Sequence, residues 1–334
     1  MDKDHTVALL LTDTTREMVL TPAVEERLAE IAEIRSAFGP PEAWDMPALL
    51  QGATACITGW GTPHLSRALL DACPDVQLIA HTAGSIRNLI PAELVGGRVR
   101  VCQAASVIAS SVAEMVILEI LTELRSLHLF DRGLKDGAGW LDLRAEYPGR
   151  LLGVRTVAVV GASRTGRAVI RLLRAFGCKI LIVDPFISER EAQDLGADQV
   201  DLETALRRCD VLTLHAPVLP ETEGMLGARE LGLMRDGSVL VNSARASLIN
   251  SDALLAELRS GRISAALDVF PEEPLPPDSV WRQLPRTVLS PHSAGHTVDT
   301  HHLQGEAMVD EVERFLNRVP LQFEITSDIA SVLA

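Results

Sequence analysis

A glycine-rich turn follows a strongly apolar run near the middle of the chain. The string VAVVGASRTG, residues 157–166, carries Gly161 and Gly166, and a helical pattern, RAVIRLLRAF, follows directly. A strand, such a turn and a helix together surround a phosphate with backbone N–H groups. The next apolar run, KILIVD, ends in Asp184, 23 residues after Gly161, close to the ~20 residues expected for an acid that binds a ribose 2′-hydroxyl. The pattern predicts a dinucleotide site, and the acid favours NAD over NADP.

Two features of this turn leave the prediction open. Ser163 stands where the full pattern has a glycine, and its Cβ pushes phosphates outward although its hydroxyl can donate to a phosphate oxygen. Glycine and serine are also common in any strand-to-helix turn, and Asp184 precedes Pro185, so both can belong to ordinary turns. The motif alone indicates a nucleotide site without deciding it.

The rest of the chain alternates short β-branched runs with longer helical patterns, which is typical of parallel sheets built from βαβ units. We expect a long helical segment over residues 108–135 and an amphipathic stretch over residues 299–319 that returns to the first unit. These patterns predict an α/β protein with a Rossmann-type doubly wound parallel sheet, residues 108–297, as the NAD-binding domain. It is inserted into a smaller, discontinuous, flavodoxin-like α/β domain, residues 1–107 and 298–334, which is expected to bind substrate.

Charge and cysteine usage limit the partners. The 31 basic and 45 acidic residues leave a net charge of −14, which repels nucleic-acid phosphates and anionic membranes. The N-terminal run TVALLLT is too short for a signal-peptide core, and the five cysteines form no Cys-x-x-Cys pair. We therefore expect a cytoplasmic protein that binds neither nucleic acid nor membrane.

Two downstream strings carry a family resemblance. LVNSARASLINSDALLAELRSGRISAALDVFPEEPLPP and LPRTVLSPHSAGHT resemble the D-isomer-specific 2-hydroxyacid dehydrogenases, closely over residues 154–297 and more loosely through VQLIAHTAGSIRNLIP and SVAEMVILEIL. In that family an arginine follows a strand, a glutamate precedes a proline after DVF, and a histidine lies in a Pro-His-x-x-Gly turn. The matching residues are Arg245, Glu273 and His292.

The resemblance implies an NAD-dependent oxidoreductase that interconverts a D-2-hydroxy acid and its 2-oxo acid. An imidazole exchanges a proton near neutral pH, so His292 is the expected acid and base. Glu273 would stabilise and orient the protonated ring, and the Arg245 guanidinium fits the carboxylate and carbonyl of a 2-oxo acid. Each residue alone is compatible with an ordinary loop position. Their joint occurrence, in order, favours the catalytic interpretation.

The same resemblance implies further contacts. Ala83 and Gly84 resemble a loop whose N–H groups receive the substrate carboxylate, although a glycine-containing turn after a strand is an equally ordinary interpretation. The implied cofactor contacts are Gly161, Ser163, Arg164, Thr165, Gly166, Asp184, His215, Ala216, Pro217, Ser243, Ala244, Arg245, Asp268, His292 and Gly295.

Several positions depart from the family pattern or suggest other chemistry. Ser163 and Ala246 each replace a glycine, which puts cofactor affinity and substrate size in doubt, whereas Asn250 in place of aspartate still suits a helix start. His292 and His296 are four residues apart, but the proline and glycine around them oppose a helical ligand pair, and no metal site is expected.

The resemblance also bears on assembly. The arm FDRGLKDGAGW, residues 130–140, packs across a twofold axis in the family, so a homodimer is expected. Some members of the resemblance group are nucleotide-sensing corepressors that bind partner proteins and turn over slowly, if at all. An NAD(H)-sensing binding protein is therefore the alternative to an enzyme.

Overall fold

The computed structural model describes residues 5–326 of the 334-residue chain. These residues form two compact units, the first from residues 5–108 and 296–326, the second from residues 109–295. The division of labour between the units, substrate binding in the first and cofactor binding in the second, remains a prediction.

Each unit is built on a parallel β-sheet. The strands are β1 (Thr6–Leu10), β2 (Glu33–Ser36), β3 (Ala55–Thr58), β4 (Leu78–His81), β5 (Arg100–Gln103), β6 (Thr156–Val160), β7 (Lys179–Val183), β8 (Asp198–Gln199), β9 (Val211–Leu214), β10 (Val239–Asn242), β11 (Ser264–Leu267) and β12 (Thr287–Leu289). The first sheet has the order β2-β1-β3-β4-β5 and the second the order β12-β11-β10-β9-β6-β7-β8. Each order reverses once, at β1/β3 and at β6/β9, as in flavodoxin-like and Rossmann-type sheets respectively. The predicted fold class is confirmed.

Helices connect the strands. They are α1 (Asp13–Val19), α2 (Pro22–Ile31), α3 (Met46–Leu50), α4 (Arg67–Ala72), α5 (Ala105–Arg125), α6 (Leu127–Lys135), α7 (Trp140–Glu146), α8 (Arg164–Phe176), α9 (Glu189–Asp194), α10 (Leu202–Arg208), α11 (Ala228–Leu233), α12 (Ser251–Ser260) and α13 (Val298–Leu316). Local signals explain several of their ends. The Thr21 hydroxyl caps α2, the Asn250 side chain accepts the Ala253 N–H at 3.0 Å to cap α12, and Gly177 ends α8 at φ +71°.

The second sheet is buried on both faces. Val157 and Val159 of β6 pack into one cluster with residues of α5 and α8, whereas Ala158 and Val160 pack into the cluster on the other face. This double burial explains why the strands are apolar throughout instead of alternating with polar residues. The polar residues that follow the strands therefore lie at the carboxyl ends of the strands, where ligands bind in parallel α/β sheets.

The single helical segment expected over residues 108–135 is wrong. Helix α5 ends at Arg125, Ser126 adopts a left-handed conformation at φ +50°, and α6 begins at Leu127. A left-handed residue interrupts the i to i−4 hydrogen bonds of a helix. No glycine or proline marks the break, so the sequence pattern runs through it without a signal.

Helix α5 is unusually apolar. By length and composition it could cross a membrane, with a mean hydropathy of 1.7. In the structure Val116, Ile120 and Leu124 are buried in the core of the second unit. Two carboxyl side chains, Glu119 and Glu123, are buried on the same helix, which is rare unless such groups are paired or hydrogen-bonded.

Candidate active site

A histidine and a glutamate form a direct pair after β11 and β12. His292 Nδ1 lies 2.6 Å from Glu273 Oε2, and Glu273 Oε1 accepts the Phe270 N–H at 2.9 Å. Both side chains are partly exposed, and no described residue is hydrogen-bonded to His292 Nε2. The pair therefore presents one free ring nitrogen whose orientation is set from the opposite side.

The charge of Glu273 is stabilised in place. Burial works against its ionised form, but the hydrogen bonds from His292 and the Phe270 N–H, with the charges of His292 and Arg245, hold the pKa of this carboxyl below its usual value. Arg245 is thus close enough to act on Glu273. All three predicted catalytic residues belong to the second unit: His292 contacts Glu273, and the charge of Arg245 acts on Glu273.

The turn that carries His292 is fixed by Asp268. The Asp268 carboxylate is fully buried and accepts the N–H groups of Ser293 at 2.8 Å and Ala294 at 2.9 Å. Its backbone oxygen accepts the His292 N–H at 2.8 Å, and His292 itself has φ +51°. A non-glycine residue in this region is uncommon and needs surrounding support. Asp268 provides that support, which the sequence did not suggest.

Arg245 follows β10 in a turn held by Asn242. The Asn242 amide nitrogen donates to the Arg245 carbonyl at 2.9 Å, and its oxygen accepts the Ala244 N–H at 3.1 Å. The Arg245 side chain is exposed and forms no ion pair with any described residue. One guanidinium nitrogen, Nη1, donates to the Ala244 carbonyl at 2.7 Å, and the other N–H donors remain for an anionic ligand. The sequence-based site did not include Asn242, whose only signal is an amide residue at the end of a buried strand.

The glycine turn has the shape of a phosphate cradle. Gly161 has φ +99°, and a Cβ there would lie 2.7 Å from the backbone of His215 and Ala216. A Cβ on Gly166 would meet the Gly161 carbonyl oxygen at 2.0 Å. Only glycine allows this approach of strand, turn and helix. The first N–H groups of α8, at Arg164 and Thr165, have no intrahelical acceptor and so remain for an anion.

Ser163 begins this helix. Its hydroxyl oxygen accepts the Gly166 N–H at 3.2 Å, so the residue that breaks the glycine pattern serves as the N-cap of α8. The hydroxyl proton remains free to donate, which leaves the expected contact with a phosphate oxygen a prediction.

Asp184 lies where the ribose of a dinucleotide is expected. Its carboxylate accepts the Ala162 N–H at 2.6 Å and the Phe186 N–H at 2.8 Å. It also lines a cavity of about 480 Å³ with Pro185 and Glu189, beyond the ends of β7 and β8. Each carboxylate oxygen has two lone-pair directions, so both retain capacity for a ribose hydroxyl. The residues present in this unit therefore fit a dinucleotide.

Comparison with known proteins agrees with this arrangement. Residues 117–294, more than half of the chain, match the family model for the NAD-binding domain of D-isomer-specific 2-hydroxyacid dehydrogenases. The chain belongs to this family. It is 30% identical to a glyoxylate reductase of Korarchaeum cryptofilum over 76% of this chain and 77% of that protein. It is 28% identical to a D-3-phosphoglycerate dehydrogenase of Methanocaldococcus jannaschii over 93% of this chain, which spans 57% of that longer protein.

A solved structure shows the same fold. The crystal structure of a phosphoglycerate oxidoreductase from Rhizobium etli has a TM-score of 0.79 and 26% sequence identity, and the match covers 95% of this chain and 97% of that one. The family match indicates a nicotinamide dinucleotide as the cofactor of this 2-hydroxyacid dehydrogenase homologue, without distinguishing NAD from NADP.

The remaining predicted cofactor contacts follow strands of the second sheet, at the carboxyl ends of those strands. His215 is buried and its Nε2 lies 2.9 Å from the Thr213 hydroxyl. Burial lowers the pKa of His215 to about 3, so the ring is neutral, and its contact with the cofactor stays a prediction. The His215 backbone lies against Gly161, where it leaves no room for a Cβ. Roles for Pro217, Ser243, Ala244 and Gly295 remain predictions.

The predicted substrate loop belongs to the first unit. His81, at the end of β4, lies 2.9 Å from the Thr58 hydroxyl and 3.1 Å from the Ser85 carbonyl, and burial lowers the pKa of His81 to about 4. This neutral ring braces the loop that follows. Within residues 5–326, no protein acceptor is bonded to the N–H groups of Ala83 and Gly84, which is the property an anion-binding loop requires.

Among the described residues, no group of three His, Cys, Asp or Glu side chains is placed to hold a metal ion. His296 and His301 instead stack edge to face, with ring centroids 4.4 Å apart. Sequence reasoning missed one more residue near the catalytic segments, the buried Glu119 of α5. Its signal is an acid within the otherwise apolar run MVILEIL.

Proposed function

We propose that the protein is an NAD-dependent oxidoreductase that interconverts a D-2-hydroxy acid and its 2-oxo acid. The His292–Glu273 pair at 2.6 Å, with the charge of the exposed Arg245 acting on Glu273, lies in the unit that matches the NAD-binding domain and carries this proposal. The names of the relatives, glyoxylate reductase and D-3-phosphoglycerate dehydrogenase, support a small 2-oxo acid as substrate.

The reaction needs a proton and a hydride. A bound nicotinamide supplies the hydride in reduction and accepts it in oxidation. In the reductive direction His292 donates the Nε2 proton to the carbonyl oxygen, and in the oxidative direction the same nitrogen takes the hydroxyl proton. Glu273 holds the ring at Nδ1 and stabilises it while it is protonated.

Arg245 binds the substrate. Its fork of N–H donors matches a carboxylate or the adjacent carbonyl oxygen, and Asn242 fixes the backbone from which it extends. The N–H groups of Ala83 and Gly84 are proposed as a second carboxylate-binding element in the first unit. Both elements recognise the acid group that all 2-oxo acids share, so the choice among them depends on other residues.

Asp184 favours NAD as the cofactor. A carboxylate accepts hydrogen bonds from the ribose hydroxyls of NAD and repels the 2′-phosphate of NADP. The contacts of Asp184 with two backbone N–H groups hold it in place to do so. The cytoplasm as its compartment, and a homodimer as its assembly, remain predictions.

The direct test follows NADH absorbance with purified full-length protein. The panel contains glyoxylate, hydroxypyruvate, 3-phosphohydroxypyruvate, pyruvate and bulkier 2-oxo acids. We expect turnover of at least one of them, and His292→Gln should reduce it about 100-fold or more while NADH still binds. Binding of NADH without turnover of any 2-oxo acid, together with specific capture of a partner protein, contradicts the proposal and supports the nucleotide-sensing alternative. The relatives' names give that alternative no support.

A further inference from the structure

One buried side chain contacts the segments that carry two of the three proposed catalytic residues, Arg245 and His292. Glu119 of α5 is 1% exposed. Its Oε2 accepts the Ser243 hydroxyl at 2.8 Å, and its Oε1 lies 3.4 Å from the Ser290 hydroxyl. Ser243 precedes Arg245 by two residues, and Ser290 precedes His292 by two residues. A single carboxyl therefore joins the ends of β10 and β12.

The contact continues to the turn that carries His292. The Ser290 hydroxyl lies 2.6 Å from Asp268 Oδ1, and Asp268 holds the N–H groups of Ser293 and Ala294. A serine hydroxyl has one proton to donate. A neutral Glu119 can donate to Ser290 while Ser290 donates to Asp268, whereas an ionised Glu119 competes with Asp268 for that one proton.

We propose that Glu119 is a positioning residue, which fixes the Arg245 and His292 segments relative to each other through Ser243 and Ser290. The positions of the two segments then depend on whether Glu119 is protonated. The inference rests on the proposed function, because it gives Glu119 a task at the same site. Glu119 touches neither Arg245 nor His292 and acts through the two serines.

The surroundings of Glu119 allow it to change its charge near neutral pH. Burial raises the pKa of Glu119 to about 7; the hydrogen bonds from Ser243 and Ser290 oppose the rise, and the negative charges of Asp268 and Glu123 add to it. These two acids are the charged groups that act on it, one following β11 and one on α5 itself. Glu119 therefore passes from the neutral to the ionised arrangement as the pH rises through about 7.

Glu123 provides a matched control. It lies one turn further along α5, is 5% exposed, and burial also raises its pKa to about 7 against hydrogen bonds from Ser264 and Val288. It faces Ser264 at the start of β11, together with His128 and Arg150. Glu123 contacts neither Ser243 nor Ser290, so its removal changes the charge of α5 without breaking the proposed link.

The test observes the backbone on both sides of Glu119. In protein labelled with ¹⁵N-alanine, the amides of Ala244 and Ala294 report on the β10 and His292 segments respectively. We expect both amide shifts to show a common step near pH 7 in the wild type. The step should also be present in Glu123→Gln, at a lower pH because one of the charges that raise the pKa of Glu119 is gone. The step should be absent in Glu119→Gln, and it should persist in His292→Gln, which removes the ionisation of the histidine itself. A step that survives in Glu119→Gln, or that Glu123→Gln removes equally, overturns the inference.

Two further variants keep the test decisive. Ser243→Ala retains the buried acid, so the step should be lost at Ala244 and kept at Ala294; its retention at both overturns the link to the Arg245 segment even if Glu119→Gln fails to fold. For turnover, Glu119→Leu should lower kcat about tenfold, the effect of losing a buried hydrogen-bonded group, and should also raise the KM for the 2-oxo acid, because the segment of the substrate-binding Arg245 is displaced as well. Because the amide titration needs no substrate, an inactive wild type contradicts the proposed function alone.

Discussion

The Glu273 carboxylate lies between two partners, with one oxygen 2.6 Å from His292 Nδ1 and the other accepting the Phe270 N–H. The backbone contact fixes the carboxylate, and the carboxylate in turn fixes the imidazole. The pair thus transfers the rigidity of the segment after β11 to the side chain proposed to move the proton.

Replacement of Glu273 should impair this pair selectively. Glu273→Gln keeps the shape and an acceptor for Nδ1 but removes the charge that stabilises a protonated ring. We expect kcat for 2-oxo acid reduction to fall roughly 10- to 100-fold, since general acid catalysis contributes about 10²- to 10⁴-fold. Steady-state kinetics measure the effect. Glu272→Gln, at the exposed neighbouring acid, is the control, and equal losses in both variants would contradict the assignment.

The cofactor preference should depend on Asp184. Asp184→Asn retains an acceptor for the neighbouring N–H groups and removes the charge that repels a 2′-phosphate. Fluorescence titration should show the NADPH to NADH affinity ratio rising about tenfold or more, which corresponds to about 1.4 kcal/mol. Glu189→Gln changes an acid that lines the same cavity and should leave the ratio unaltered. An unchanged ratio in Asp184→Asn would show that this acid does not face the ribose.

Alanine at either of two glycines with positive φ, Gly161 or Gly177, should destabilise the fold, but for different reasons. At Gly177 the cost is backbone strain alone, whereas at Gly161 a steric clash is added. In Gly161→Ala the new Cβ meets backbone atoms at 2.7 Å, whereas Gly177, at φ +71°, has no heavy atom within 4 Å of an added Cβ. Gly177→Ala should therefore cost only about 1–2 kcal/mol of unfolding free energy for the left-handed conformation. Gly161→Ala should cost more and abolish NADH binding. Urea denaturation and NADH titration measure both, and NADH binding by Gly161→Ala would reject the cradle.

The buried acids of α5 should make stability depend on pH. Glu119 and Glu123 have pKa values near 7 when folded, against an ordinary value of 4.5. Between these values the folded chain holds protons that the unfolded chain has released, so the unfolding free energy should fall as pH rises from about 5 to about 7. The fall should be on the order of 2 kcal/mol per group. Urea denaturation of Glu123→Gln should show a smaller fall than the wild type. Glu114→Gln, at an exposed acid of the same helix, should match the wild type.

The homodimer prediction rests on the arm at residues 130–140, which ends where α7 begins. Trp140 and Leu141 are 66% and 72% exposed, and adjacent exposed apolar side chains indicate a surface that is covered by a partner. Sedimentation should give twice the chain mass of 36.1 kDa, and Trp140→Ser with Leu141→Ser should shift the protein to the monomer. Phe186→Ser, at another exposed aromatic residue, should remain dimeric. A wild-type mass of one chain would reject the prediction.

Much of the architecture could be predicted from local patterns. Gly161 is a glycine because nothing larger fits between β6 and the His215 backbone, so the turn can be recognised from residue type alone. The threonine before Pro22 and the asparagine at position 250 begin helices for the same local reason, a side chain that accepts an otherwise free N–H. Such features depend on a few neighbouring residues and can therefore be recognised in a short stretch of the sequence.

Other features depend on contacts between distant residues. Periodicity shows that α5 is buried, but it cannot show that Glu119 meets two serines 124 and 171 positions away. The role of Asp268 in holding the His292 turn depends on how two strand ends lie side by side. Ser126 is left-handed, but no glycine or proline in the neighbouring sequence indicates the break between α5 and α6. These features arise from packing, which a single sequence does not display.

The left-handed conformation of His292 has a consequence for protein engineering. The five residues Pro-His-Ser-Ala-Gly would not keep their shape if grafted onto another scaffold, because their backbone is held by an aspartate 24 positions earlier in the chain. A transplant would need that aspartate and its strand as well. For the same reason, insertions or deletions within residues 290–294 should be tolerated far less than in other surface loops of similar length.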